Sequence, residues 1–168
     1  IANRIGTYAI YKGIEHMVAM GMTVEEVDAI AGPATARPKS AAFRTADLVG
    51  LDTLGHVGTN SHDLLPNDEE RGVFKMPAFM KKMIDGGLLG NKSGGGFYKK
   101  EMVGGKKALF YYDYTTGEYK PLAKPKFASA MAVKQVDSPG QKVKMVVGGR
   151  DKGAEFAWKS IRDTLIYA

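Results

Sequence analysis

The chain has 168 residues, 44% hydrophobic and 25% charged, enough for one ordinary domain with a core, or a domain plus an appendage. It contains no cysteine, which excludes disulfides and thiolate chemistry, and only three histidines (His16, His56, His62), too few for a histidine-rich metal centre to be expected. No apolar run approaches the ~18 residues of a membrane span and no signal-peptide pattern opens the chain, so a cytoplasmic protein is expected. The net charge of +6 is uneven: residues 1–98 hold 10 Lys and Arg against 11 Asp and Glu, residues 99–168 hold 14 against 7.

Residues 1–20 predict a helix. Ala2, Gly6, Ala9 and Gly13 form a stripe of small residues at helical spacing, beside an apolar ridge of Ile10, Ile14 and Met17. Glycine inside a helix costs about 1 kcal/mol relative to alanine, so two on one face predict the close approach of another backbone. Gly21 suits a left-handed cap. Thr23 and Glu26 have capping-box spacing and start a second helix, with Val24, Val27 and Ile30 inward, which Gly32-Pro33 stops. A basic loop, Arg37-Pro38-Lys39-Ser40, leads into a short apolar stretch from Phe43 to Val49. Leu51, Leu54, Val57, Ser61, Leu64 and Leu65 outline the inner face of a third helix. An acidic loop spans Pro66 to Glu70. Pro77 opens a fourth helix with Phe79, Met80, Met83 and Ile84 toward the core, ended by Gly86-Gly87.

Leu88 to Tyr98 is a glycine-rich turn segment. The period then changes, and Ala108–Tyr114, Thr116-Gly117 and Tyr119 predict a β-hairpin closed by Pro121 and Pro125. Helices follow at about 127–135 and 139–147, the latter started by Ser138-Pro139. Asp151 caps a last helix whose inner face is read as Ala154, Trp158, Ile161 and Leu165. The fold class is mainly α, organised as a helical domain over 1–98, a hairpin connector over 99–126 and a helical segment over 127–168.

Self-contained catalytic motifs are missing. Gly90-Asn91-Lys92-Ser93 departs from a phosphate-binding loop, which needs Gly-Lys-Ser/Thr contiguous between a strand and a helix. There is no Gly-x-Gly-x-x-Gly dinucleotide fingerprint and no Gly-x-Ser-x-Gly elbow. His56 and His62 are six apart, which puts them on different helical faces. What remains is a set of polar groups on the edges of a helical body: Asn3 at the head of the first helix, Lys39 and Ser40 in the basic loop, and Lys92 among six glycines. Such groups suit a phosphorylated ligand held mainly by something else. The dense glycines suggest mobility around Lys92. The sequence opens inside a helical pattern without methionine and closes on apolar residues, so a piece of a longer protein is expected.

The order of motifs carries a resemblance. Ile1-Ala2-Asn3-Arg4-Ile5, Arg37-Pro38-Lys39-Ser40, Phe43-Arg44-Thr45-Ala46-Asp47-Leu48-Val49-Gly50-Leu51-Asp52 and Leu89-Gly90-Asn91-Lys92-Ser93-Gly94-Gly95-Gly96-Phe97-Tyr98 together resemble the C-terminal helical domain of NAD-dependent 3-hydroxyacyl-CoA dehydrogenases. Residues 99–168 resemble the continuation in multifunctional fatty-acid β-oxidation enzymes, with Thr164–Ala168 entering a second, truncated copy. The resemblance implies a 6-phosphogluconate-dehydrogenase C-terminal-like helical fold with a small β-hairpin insertion. It implies oxidation of an L-3-hydroxyacyl-CoA, with NAD bound mainly by a Rossmann domain upstream of Ile1 that also supplies the catalytic histidine and glutamate. On this likeness Asn3 is catalytic, Lys92 reaches the cofactor, Lys39 and Ser40 contact the acyl-CoA, and no metal takes part. Many single-function members carry Met-Gly-Pro before the phenylalanine, where this chain has Ser40-Ala41-Ala42. The likeness further implies a homodimer formed through the helical domain, and an isolated fragment without dehydrogenase activity. The competing class is a non-catalytic helical binding or assembly module whose basic tail meets nucleic acid or another polyanion. The resemblance points away from a nucleic-acid partner.

Overall fold

Thr23 and Glu26 form the capping box that their spacing predicts: the Thr23 hydroxyl accepts from the Glu26 N–H at 3.1 Å, and the Glu26 carboxylate accepts from the Thr23 N–H at 2.8 Å. This junction joins the first two helices of a computed structural model that describes residues 2–168. Ile1, which opens the first motif, lies outside the described residues, as does the side chain of Ala2.

Among the described residues, eight helices and three strands follow in order: α1 (Ala2–Ala19), α2 (Val24–Ile30), α3 (Phe43–Val49), α4 (Leu51–Leu64), α5 (Ala78–Asp85), β1 (Tyr98–Val103), β2 (Lys106–Asp113), β3 (Glu118–Pro121), α6 (Ala128–Ala132), α7 (Pro139–Val147) and α8 (Lys152–Tyr167). Short 3₁₀ turns at Pro33–Thr35, Arg71–Phe74 and Asn91–Ser93 link them. The mainly α class is as expected. The stretch Phe43–Val49 is a helix in its own right, turning into α4 at Gly50.

The hairpin is larger than its sequence suggests. β2 and β3 pair around Thr116-Gly117, and β1 adds a third antiparallel strand, with Tyr98 opposite Tyr111 and Val103 opposite Lys106. Only Tyr98 of β1 is buried, so Lys99-Lys100-Glu101 shows no apolar alternation; its pairing with β2 makes it a strand. Glu25 of α2, itself buried, ties this sheet to the helices by accepting the N–H groups of Ala123, at 2.9 Å, and Lys124.

One hydrophobic core runs from α1 through α8 and includes Ile14, Met17, Val27, Phe43, Met80, Phe97, Val146 and Phe156. The rings of Phe43 and Phe97 meet with centroids 4.5 Å apart. Full burial of a phenylalanine contributes about 1.5–3 kcal/mol, so this pair alone binds α3 firmly to the end of the glycine-rich segment.

Two helix faces differ from the expectation. On α4 the buried positions are Leu51, Leu54, Gly55 and Gly58, whereas Leu64 is exposed. A methyl group at Gly58 would lie 2.3 Å from the Tyr11 hydroxyl of α1, so the helices meet through the small residues. On α8, Gly153, Ala154, Phe156, Ala157 and Ser160 are buried, while Trp158 is 51% and Leu165 71% exposed. Small residues again win, because they let α8 lie close against Phe127 and α1. Of the small-residue stripe of α1, a Cβ at Gly6 would meet nothing within 4 Å, and one at Gly13 would face the Phe156 ring of α8 at 3.9 Å. Asp151 caps α8 as read, and its carboxylate also accepts the backbone N–H and hydroxyl of Ser129, fastening α6 to α8. No described helix is long and apolar enough to cross a membrane.

Candidate functional site

Two of the four strings that carried the resemblance, Phe43–Asp52 and Leu89–Tyr98, clasp each other. Asp47 of α3, 3% exposed, accepts the backbone N–H groups of Phe97 and Tyr98, both at 2.8 Å. The contact leaves no room for side chains opposite. A Cβ at Gly96 would sit 2.1 Å from an Asp47 carboxylate oxygen, and one at Gly90 would sit 2.4 Å from the Asp47 carbonyl oxygen. Ser93 closes the turn: its hydroxyl accepts from the Leu89 N–H at 2.8 Å and donates to the Gly95 carbonyl at 2.9 Å. Burial pushes the Asp47 carboxyl up to about 6, against the opposing pull of the two N–H groups. The glycine-rich segment is therefore a pinned turn. Its glycines serve close approach, and the expected mobility around Lys92 is replaced by fixed hydrogen bonds.

Lys92 stands on that turn. Its ammonium lies 2.6 Å from Asp52, in the first turn of α4, and holds the Asp52 carboxyl below the usual carboxylate range. The side chain remains 49% exposed. The chain thus fixes this cation against α4 and leaves about half of it toward solvent.

Lys39 and Ser40 lie in a loop held at both ends. Ala36 (φ 58°) and Ala41 (φ 49°) adopt left-handed backbone, a conformation costing about 1–2 kcal/mol for a non-glycine residue. Asp28 of α2 offsets this by accepting three consecutive backbone N–H groups, from Ala42 at 3.0 Å, Phe43 at 2.8 Å and Arg44 at 3.2 Å. The Thr45 hydroxyl donates to the Ala41 carbonyl at 2.9 Å and accepts from the Ser40 hydroxyl at 2.9 Å, which fixes the Ser40 side chain and leaves its oxygen as an acceptor.

Lys39 and Ser40 line an open cleft of about 650 Å³, walled by Arg44 and Leu48 of α3, by Asn91 and Gly94 of the glycine-rich turn, and by the start of β1. The Arg44 guanidinium stacks on the Tyr98 ring, 4.1 Å from its centroid. The structure therefore brings the Lys39–Ser40 loop and the turn bearing Lys92 to one region, although Lys92 itself turns toward Asp52. Asn3 is exposed in the first turn of α1 and does not line this cleft.

A larger cleft of about 850 Å³ lies between α1, the 66–70 loop and the end of α8. Its charges are largely spent on one another: Arg4 pairs with Asp68 at 2.6 Å, and Lys12 with Glu70 at 3.6 Å. His16 is 2.7 Å from Asp163, joining α1 to α8. Among the described residues no group of three or more His, Asp or Glu side chains is placed to hold a metal ion.

Sequence reasoning named Lys39, Ser40 and Lys92 but not the residues that hold them, Asp28, Asp47 and Asp52. Asp47, Gly90 and Gly96 stood in the quoted strings, where a glycine cluster facing a distant acid was the available signal. Asp28 gave none, because its partners lie 14 to 16 residues away.

With this geometry in place, the comparisons with known proteins are specific. Residues 1–100 match the family described as 3-hydroxyacyl-CoA dehydrogenase, C-terminal domain. A probable 3-hydroxyacyl-CoA dehydrogenase of Bacillus subtilis is 41% identical over 168 residues, all of this chain and 21% of the relative. A protein of the same description from Deinococcus radiodurans is 50% identical over 100 residues, 60% of this chain and 28% of the relative. A putative fatty acid oxidation complex trifunctional enzyme of Rickettsia prowazekii is 26% identical over 125 residues, 74% of this chain and 17% of the relative. No solved structure matches. The chain belongs to the 3-hydroxyacyl-CoA dehydrogenase family, with the family's C-terminal domain in residues 1–100. It spans about a fifth of the length of the Bacillus relative, which it matches from end to end of its own sequence.

Proposed function

We propose that this chain is the part of an NAD-dependent L-3-hydroxyacyl-CoA dehydrogenase of fatty-acid β-oxidation that supplies dimerisation and one wall of the substrate and cofactor cleft. The observation that carries the reading is the joint anchoring of the Lys39–Ser40 loop and the Lys92 turn on the two ends of α3, through Asp28 and Asp47. Two distant segments are fixed beside one open cleft, as positioning of a ligand between domains requires. In this reading the helical domain is 1–98, the sheet-bearing connector 99–126, and 127–168 the lead into a second copy.

The residues divide the work. Ser40 offers its hydroxyl oxygen, and Lys39 its charge, to the acyl-CoA. Asn3 offers its amide to the negative charge developing on the substrate carbonyl, or to the base that takes the hydroxyl proton. NAD supplies the hydride acceptor. Its fit to this chain rests on Lys92, which is half exposed and has ammonium hydrogens beyond those facing Asp52, enough to donate to a dinucleotide held elsewhere. The family match favours this over a non-catalytic module with a basic tail.

The test is NAD reduction by the full-length protein with L-3-hydroxybutyryl-CoA. Asn3→Ala should lower kcat by about 10²–10³ with KM little changed, the signature of a donor used in the transition state. No turnover by the wild-type full-length protein refutes the reading.

A further inference from the structure

Lys92 and Asp52 are 40 positions apart, yet each stands on backbone that the fold has already fixed. The Leu51 N–H, one residue before Asp52, donates to the Leu89 carbonyl at 3.1 Å and ties the start of α4 to the glycine-rich segment. Ser93, one residue after Lys92, is held through its hydroxyl to Leu89 and Gly95. Gly50, in left-handed backbone (φ 98°), leaves the room that the pair occupies. A Cβ there would lie 2.9 Å from Asp52 Oδ1, 3.1 Å from Lys92 Nζ and 3.3 Å from Lys92 Cε. The ammonium donates to Asp52 Oδ2 at 2.7 Å, while Oδ1, 2.6 Å from Nζ, receives no hydrogen bond among the described residues. One ammonium hydrogen is thus committed, and the others lie on a side chain that is 49% exposed.

We infer that Asp52 is the positioning residue for Lys92, and that the pair presents an N–H to an uncharged oxygen of the dinucleotide, a carboxamide or hydroxyl group, and not to its phosphates. The inference rests on the reading above that Lys92 meets NAD; it adds the residue that aims the lysine and the kind of group the lysine meets. Two effects compete at Asp52. A free lysine has many rotamers, so an ammonium held in place beforehand loses less freedom on binding, and the carboxylate favours the complex. The same carboxylate, 2.6 Å from the ammonium, cancels most of its field at longer range and repels an approaching phosphate. What the cation retains is a directed N–H. An uncharged oxygen accepts it without facing the repulsion.

The test is calorimetric binding of NAD and of adenosine diphosphate ribose to the full-length protein, to Asp52→Asn, to Lys92→Ala and to the double variant. Asp52→Asn keeps the shape and removes the charge. A lysine serving the phosphates would then bind NAD more tightly, whereas a positioned donor should bind it about three- to tenfold more weakly. In the Lys92→Ala background the same replacement should change NAD affinity by less than about twofold, because Asp52 acts only through Lys92. The loss in Lys92→Ala should be equal at low and high salt, since no phosphate contact is given up. Tm within about 2 °C of wild type, as for an exposed ion pair, and an unchanged KM for the acyl-CoA separate positioning from a loosened turn. Adenosine diphosphate ribose lacks the nicotinamide: a loss confined to NAD puts Lys92 on the carboxamide, an equal loss puts it on a hydroxyl, and both uphold the inference. Equal or tighter NAD binding by Asp52→Asn overturns it, as does a Lys92→Ala loss that fades with salt, or a weakening that comes with a fall in Tm and a rise in acyl-CoA KM. If wild type oxidises L-3-hydroxybutyryl-CoA and Lys92→Ala weakens NAD while Asp52→Asn does not, only this inference fails. If Lys92→Ala leaves NAD affinity unchanged, the cofactor reading of Lys92 fails and takes this one with it.

Discussion

Replacing Gly96 by alanine is the sharpest probe of the clasp between α3 and the glycine-rich turn. The added methyl would lie 2.1 Å from an Asp47 carboxylate oxygen, which two N–H bonds hold in place, and 2.6 Å from the Gly90 Cα, which is backbone. Relief requires the turn to move off α3, which breaks the bonds from the Phe97 and Tyr98 N–H groups to Asp47. A hydrogen bond to a charged group is worth about 1.5–3 kcal/mol, so the expected loss of stability is roughly 3–5 kcal/mol. At about 2–4 °C per kcal/mol for a chain of this size, Tm should fall by roughly 6–20 °C. Gly6→Ala is the control: it has open space on exposed α1 and should raise stability by up to about 1 kcal/mol. Thermal unfolding of the 168-residue chain measures both, and hydrogen exchange at the Phe97 and Tyr98 amides locates the effect. A Gly96→Ala protein that melts within about 2 °C of wild type, with those amides still protected, would refute the clasp.

Asp28→Ala strands three backbone N–H groups at the start of α3 and should cost about 3 kcal/mol, with a rise in KM for the acyl-CoA that exceeds any fall in kcat; steady-state kinetics and urea unfolding check the two parts. The Asp47 carboxyl should titrate near 6 by carbon NMR, because burial raises it. A raised folded pKa gives a contribution present below the unfolded value near 3.9 and lost as pH rises through about 6, so Asp47 should make stability decline between about pH 4 and 6; a midpoint below 4.5 would contradict this. Lys92→Ala should weaken NAD by roughly five- to fiftyfold in the full-length protein while leaving Tm nearly unchanged, since its ion pair with Asp52 is solvent-exposed. A loss of stability that accounts for the loss of binding would return Lys92 to a structural role.

What the sequence by itself determined are the features whose physics is local. Thr23 and Glu26, Pro139, Asp151 and Gly21 each act within a few residues of their own backbone, and the helix ends fall where these residues put them. The motif strings were legible for the same reason, as fixed spacings of unusual residue types. Tertiary structure alone decided which face of α4 and α8 is buried. Hydrophobic periodicity placed Trp158 and Leu165 with Ala154 on the inner face, but burial kept Ala154 and followed Gly153, Phe156 and Ala157 in place of the other two, because close helix approach depends on the partner's shape as well as on the helix's own apolarity. β1 became a strand through its register with β2 and not through its own pattern. The site was decided the same way. Lys39 and Lys92 are 53 positions apart, and their shared region exists only because Asp28 and Asp47 take N–H groups from loops distant in sequence. A carboxylate's choice of backbone donors is set by where the packed core places them, and that placement is a property of the assembled fold.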